Sequence, residues 1–192
     1  MKVVAIVLAA LVAAGLVLAL KASGVYNDLV VQREDINGKW AQVDVALTRR
    51  ADLIPNLVET VKGMAAQERS VIESVANARA ALAGAGSRQE RIEANARLDT
   101  ALARLLVVVE NYPNIKSNEN FLRLQDELAG TENRIAVERR KYNEAVQKYN
   151  TSIELFPNNM VAGLFAFRRN DAYFRTEPAA RTAPAVSFGV PK

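Results

Sequence analysis

Apolar residues recur at helical spacing along almost the whole chain, and the alternation expected of strands is absent, so the sequence reads as all-α. The first stretch is different in kind. Val3 to Leu20 carries no charge and is bracketed by Lys2 and Lys21. At about 1.5 Å per residue it reaches roughly 27 Å, enough for one helical crossing of a bilayer and too little for two. The competing reading is a cleaved signal peptide, with Ala22-Ser23-Gly24 as the cut. A retained anchor is favoured, because signal cores usually stop sooner and Lys21 lies where small residues should lead to the cleavage site.

Beyond the span come four amphipathic stripes. The first is Leu29, Ile36, Trp40, Val43 and Leu47, with Arg33 in its vacant step. Gly24 and Gly38 each cost about 1 kcal/mol against alanine, too little to force a break, so this helix is free to continue from the span. The second is Leu53, Leu57, Val61, Met64, Val71, Val75 and Leu82, with Glu68 in the vacant slot and Pro55 expected in the first turn of a new helix. Arg49, Arg50 and Asp52 then fall at the junction between helices. Gly84-Ala85-Gly86-Ser87 predicts a break, with Ser87 as N-cap and Glu90 completing a capping box. The third stripe, Ile92, Leu98, Leu102, Leu105 and Val109, ends at Tyr112-Pro113-Asn114, since Pro113 disfavours helix at Tyr112. Ser117 is the expected cap of the fourth: Phe121, Leu124, Leu128, Ile135, Tyr142, Val146, Tyr149 and Ile153.

These stripes predict a single transmembrane helix (1–24) followed by an up-and-down, antiparallel four-helix bundle (25–156). A short apolar and basic C-terminal helix and segment (157–175) comes next. The remainder (176–192) holds Pro178, Pro184 and Pro191 without periodicity and is expected to be a disordered tail. Residues 184–191 also have the composition to add as a strand to a partner's sheet edge, but a spent tail is the preferred reading.

Composition narrows the chemistry. The chain of 192 residues has no histidine and no cysteine. Carboxylate-bridged metal sites in bundles need Glu-x-x-His motifs, so no metal, cofactor or catalytic residue is expected, and the chain is read as a non-enzyme. The formal net charge of +4 sits beside the membrane and in the tail, leaving the bundle near neutral. A nucleic-acid binder would carry a basic stripe on its folded body; anionic lipid head groups are the simpler partner here. Lys2 on one side of the span against Lys21, Arg33 and Lys39 on the other leans toward a single-pass protein with a cytoplasmic C-terminal domain.

Two groups of side chains stand out. Arg33, Glu68 and Glu138 occupy inward slots, either as stripe edges reaching water by their stems or as a buried charge network that fixes helix register. Met160, Val161, Leu164, Phe165, Phe167 and Phe174, adjoined by Arg168 and Arg169, put large apolar area on a short piece. That piece caps the bundle, lies in the bilayer interface or docks on a neighbouring copy. Tyr142-Asn143 and Tyr149-Asn150 recur seven residues apart, so the tyrosines face one seam and the asparagines flank it; core packing with amide hydrogen bonds to a neighbouring helix is the preferred account.

Certain runs carry a specific likeness: Tyr26 to Val30, Trp40 to Val45, Arg49 to Gly63, Glu110 to Pro113, Glu119 to Phe121, Leu124 to Leu128, Thr131 to Ile135, Tyr142-Asn143, Tyr149-Asn150 and Phe156-Pro157. With these the chain resembles the LemA family from about Val25 to Phe174. The resemblance implies a bacterial protein with an N-terminal membrane anchor, a short N-terminus outside and a four-helix-bundle domain, and the inner membrane is the expected location. It brings no assigned reaction, cofactor or catalytic residue, and one family member serves in building the magnetosome membrane. Two functions are therefore expected as alternatives. One is a self-associating scaffold, a homo-oligomer that organises or curves the membrane. The other is an adaptor, monomeric or a small oligomer, presenting its bundle to another membrane protein such as a protease.

Overall fold

The computed structural model describes residues 2–65 and 67–175, with the side chain of Met64 also outside the described set. The expected disordered tail, 176–192, lies outside the described residues. Among these residues the protein is all-α. Its elements are α1 (Lys2–Met64), α2 (Arg69–Gly84), α3 (Arg88–Val109), α4 (Pro113–Lys116), α5 (Glu119–Glu154) and α6 (Asn158–Leu164).

α1 is one helix of 63 residues, about 94 Å long at the standard rise. It runs without a break from the apolar N-terminal stretch, whose side chains are exposed, into the bundle. The segment is long and apolar enough to cross a membrane. Gly24 and Gly38 do not interrupt it, as their small propensity penalty requires.

The expected junction at Pro55 is not there. Pro55 lies inside α1, and Arg49, Arg50 and Asp52 are mid-helix. Proline in a helix interior deprives the carbonyl four residues earlier of its donor. Here that carbonyl, Ala51 O, accepts from Arg79 Nε of α2 at 2.9 Å, so the helix continues. The turn comes instead between Met64 and Arg69, and the second apolar stripe therefore crosses from α1 into α2. Ser87 and Glu90 form the expected capping box at the start of α3. The cap of α5 is Asn118, whose side chain accepts from Phe121 N at 3.1 Å. Ser117, expected there, closes α4 and donates to Pro113 O.

α1, α2, α3 and α5 pack up, down, up and down. α3 begins level with Asn37, which accepts from Arg88 at 2.7 Å. α5 runs the length of the domain and comes down level with Gln32, which donates to Ser152 Oγ at 3.2 Å. The distal half is thus a four-helix bundle, and the membrane-proximal part is the α1–α5 pair with α6 packed against it. Leu29, Ile36, Val43, Leu47, Ile54, Leu57, Leu98, Leu105, Phe121, Ile135 and Tyr142 are almost completely buried. Each such side chain contributes about 1.5–3 kcal/mol on leaving water.

Candidate functional site

The membrane-proximal end is built by the chain beyond α5. α6 turns under the α1–α5 pair, burying Val161 and Ala162. It leaves Leu155, Phe156, Met160, Leu164 and Phe165 in solvent; Phe156 and Leu164 are each 78 % exposed. Phe165 meets Tyr26 edge-on, with ring centroids 4.9 Å apart. Tyr26 stands six residues beyond Leu20 on the same helix, about 9 Å above the end of the apolar run. The exposed ring of Phe165, at the end of α6, is therefore held about 9 Å above the end of the apolar run.

α6 ends in a Schellman turn. Phe167 N donates to Ala162 O at 2.9 Å and Ala166 N to Gly163 O at 3.4 Å. The residue at the reversal is usually glycine, because its backbone is left-handed. Here it is Ala166, at φ 54°.

The turn sends the chain into an extended strap, residues 167–175, that climbs back along the bundle. Asn143 and Asn150 of α5 hold it by its main chain. Asn143 Nδ2 donates to Phe174 O at 2.8 Å and Asn143 Oδ1 accepts from Phe174 N at 3.0 Å. Asn150 repeats this with Asn170, donating at 2.8 Å and accepting at 2.9 Å. Tyr149 OH donates to Arg168 O at 3.1 Å, and Asn150 Nδ2 also reaches Tyr173 OH at 3.0 Å. Each carboxamide thus offers one donor and one acceptor to one residue of the strap. At the Asn143 rung, the Phe174 ring stacks on Trp40 at 6.1 Å and meets Tyr142 edge-on at 5.9 Å, with the Arg139 guanidinium 5.1 Å from its centroid. The seven-residue Tyr-Asn repeat is legible in sequence, but its partner is this irregular strap and not a helix.

Of the apolar candidates, Val161 is therefore core, Phe167 and Phe174 are half-buried against the bundle, and Met160, Leu164 and Phe165 face outward. Arg168 and Arg169 are exposed, and Arg169 pairs with Glu154 and Asp171.

The structure does not bring Arg33, Glu68 and Glu138 together. Arg33 is exposed, with its guanidinium 5.5 Å from the Phe167 ring centroid; the inward step belongs instead to Gln32. Glu68 precedes α2 and accepts from Tyr112 OH at 2.8 Å. Glu138 pairs with Lys141 at 2.8 Å. The charge network that does lock the helices lies elsewhere. Arg50 of α1, 6 % exposed, pairs with Asp99 of α3 and at 2.8 Å with Glu132 of α5. Arg139 reaches the same two carboxylates at 3.4 and 3.9 Å, and Asn95 donates to Asp99 at 3.0 Å. Two cations facing two carboxylates leave the seam neutral. Beside it a groove of about 870 Å³ opens between α3, α5 and the strap, lined by Asn95, Asp99, Arg139, Asn143 and Phe174.

The resolved protonation shifts are all on tyrosines. Burial pushes the Tyr142 and Tyr149 phenols up, against a partial opposing pull from Arg88 and Arg33 respectively. The hydrogen bond to Glu68 raises Tyr112. None of these phenols is thereby activated as a base. Among the described residues no three His, Cys, Asp or Glu side chains gather as metal ligands.

The family model of LemA matches residues 39–188. Magnetosome protein MamQ 2 of Paramagnetospirillum magneticum is 30 % identical, the match covering 82 % of this chain and 67 % of that one. Magnetosome protein MamQ of Magnetospirillum gryphiswaldense is 27 % identical over the same shares. Protein LemA of Metamycoplasma hominis is 22 % identical, over 71 % of this chain and 63 % of its own.

Proposed function

The chain belongs to the LemA family, and from that premise we propose that it is a non-catalytic, membrane-anchored scaffold that self-associates and organises or curves the bacterial inner membrane. The observation that carries this is the height of α6. Phe165, with Met160 and Leu164 exposed on the same short segment, stands about 9 Å beyond the end of the apolar run, close to the head-group layer in which interfacial helices lay their apolar faces. Lys21 stands at the end of the apolar run, placed to meet anionic lipid, and its side of the span is taken as the cytoplasmic one. One copy then contacts the bilayer twice, through its span and through a wedge beside it.

The chain has no cysteine, so Leu164→Cys gives a single site for an environment-sensitive dye. In anionic vesicles the full-length protein should show blue-shifted emission, quenched by shallow nitroxide lipids. Water-like emission would remove the wedge. The mass in mild detergent tests the scaffold: assemblies formed by the full chain support it, and a monomer removes it. The open groove between α3 and α5 favours a second reading, an adaptor for another membrane protein. A monomer that crosslinks to one partner in the membrane would establish it.

A further inference from the structure

We propose that copies of this chain associate by exchanging straps, residues 167–175 of each entering the Asn143–Asn150 clip of the other. This rests on the self-association proposed above and names its interface.

The clip reads main chain. Asn143 and Asn150 each give and take one backbone hydrogen bond, Tyr149 adds a third donor, and the Trp40–Tyr142 surface receives one aromatic ring, Phe174. None of these contacts depends on the strap belonging to the same chain. A neighbour's strap satisfies them equally, so exchange leaves the energy of the clip contacts unchanged. Two terms then decide between closed and exchanged forms.

The first is the hinge. The closed form requires Ala166 at φ 54°, a left-handed conformation that a Cβ disfavours. Exchange lets the hinge straighten, releasing that strain while handing the two turn hydrogen bonds of Ala162 O and Gly163 O over to water. The second is concentration, which in solution favours the chain's own strap because a short tether holds it close. Anchoring reverses part of that advantage. Because α1 is unbroken from the span to the clip, every copy in one bilayer presents its clip and strap at the same height and the same way up. The strap also lies on the outside of the domain, with Arg168, Arg169, Asp171 and Arg175 exposed, so a neighbour's strap reaches the clip from the side. Reciprocal exchange gives a closed dimer whose two-fold axis is the membrane normal, the orientation that leaves both anchors in the same bilayer.

The test is complementation between full-length variants in mild detergent and nanodiscs. Asn143→Leu with Asn150→Leu spoils the clip and keeps the strap; Tyr173→Ala with Phe174→Ala spoils the strap and keeps the clip. Neither should dimerise alone, and an equimolar mixture should restore a mixed dimer. If both variants dimerise like the parent chain, exchange is wrong and self-association stands on another surface. If the parent chain is itself monomeric, both proposals fall. Should the clip variants lose their helical signal, the hinge decides without touching the clip. Ala166→Gly relaxes the closed turn and should weaken the dimer about five-fold. Ala166→Pro cannot adopt the positive φ and should strengthen it. No shift in either hinge variant would overturn the exchange.

Discussion

Arg79 donates its Nε–H to the carbonyl of Ala51 at 2.9 Å, the carbonyl that Pro55 leaves without a helical donor. A guanidinium on α2 thus completes the backbone of α1, and the helix passes through a residue that ordinarily ends one. Arg79→Met should cost about 2 kcal/mol, since it leaves a buried carbonyl unpaired. With Pro55→Ala already in place, the amide of residue 55 takes over that carbonyl. The cost of Arg79→Met should then fall by about 1 kcal/mol, a coupling that a double-mutant cycle in urea would measure.

Arg50 is the buried centre of the α1–α3–α5 seam. Arg50→Met strands Asp99 and Glu132 facing one another with Arg139 alone to balance them. Loss of a partner from a fully buried pair costs about 3–5 kcal/mol. Both carboxylates here reach water, so about 2 kcal/mol is expected, read as a lower urea midpoint. Asp99→Asn should cost less, because Asn95 and Arg50 still find an acceptor there.

Asn150→Ala removes one rung of the clip. About 2 kcal/mol of local stability should go with it, so the strap should open about thirty times more often. Limited trypsin digestion checks this. Cleavage after Arg168, Arg169 and Arg175 should quicken while cleavage within α2 and α3 keeps its rate.

The tyrosines set an alkaline limit. Tyr142 and Tyr149 are raised above 10.0 by burial, so the folded protein favours their neutral forms more strongly than the unfolded chain does. Their contribution is complete below about pH 10 and declines as pH rises through the folded values. Thermal melts should therefore fall away above about pH 10. Tyr142→Phe should flatten that decline whatever it does to stability at neutral pH.

The apolar stripes are legible from sequence because the helical period survives tertiary packing. Leu29, Ile36, Val43 and Leu47 line one buried face, as do Phe121, Ile135, Tyr142 and Val146. The Ser87–Glu90 box is legible for a local reason, since both partners lie within one turn. What misleads is Pro55, a strong local stop signal cancelled by an arginine twenty-four residues away. Between the end of α1 at Met64 and the start of α2 at Arg69 the sequence has no proline or glycine to mark the break. Arg50 reads as a junction charge for the same reason, and its partners on α3 and α5 come from packing alone. The strap has no periodicity, so nothing in residues 167–175 points to Asn143 and Asn150.

The unbroken passage of α1 from span to bundle locks the two in helical phase. Each residue inserted between Leu20 and Leu29 would lift the bundle by about 1.5 Å and swing it about 100° around the helix axis. The apolar side chains of α6 would move round the anchor with it. Three or four inserted residues nearly restore the azimuth while raising the domain by about one turn. The stretch between the bilayer and Leu29 is therefore a gauge as well as a tether, and its length in residues fixes the compass bearing of the whole bundle about its anchor.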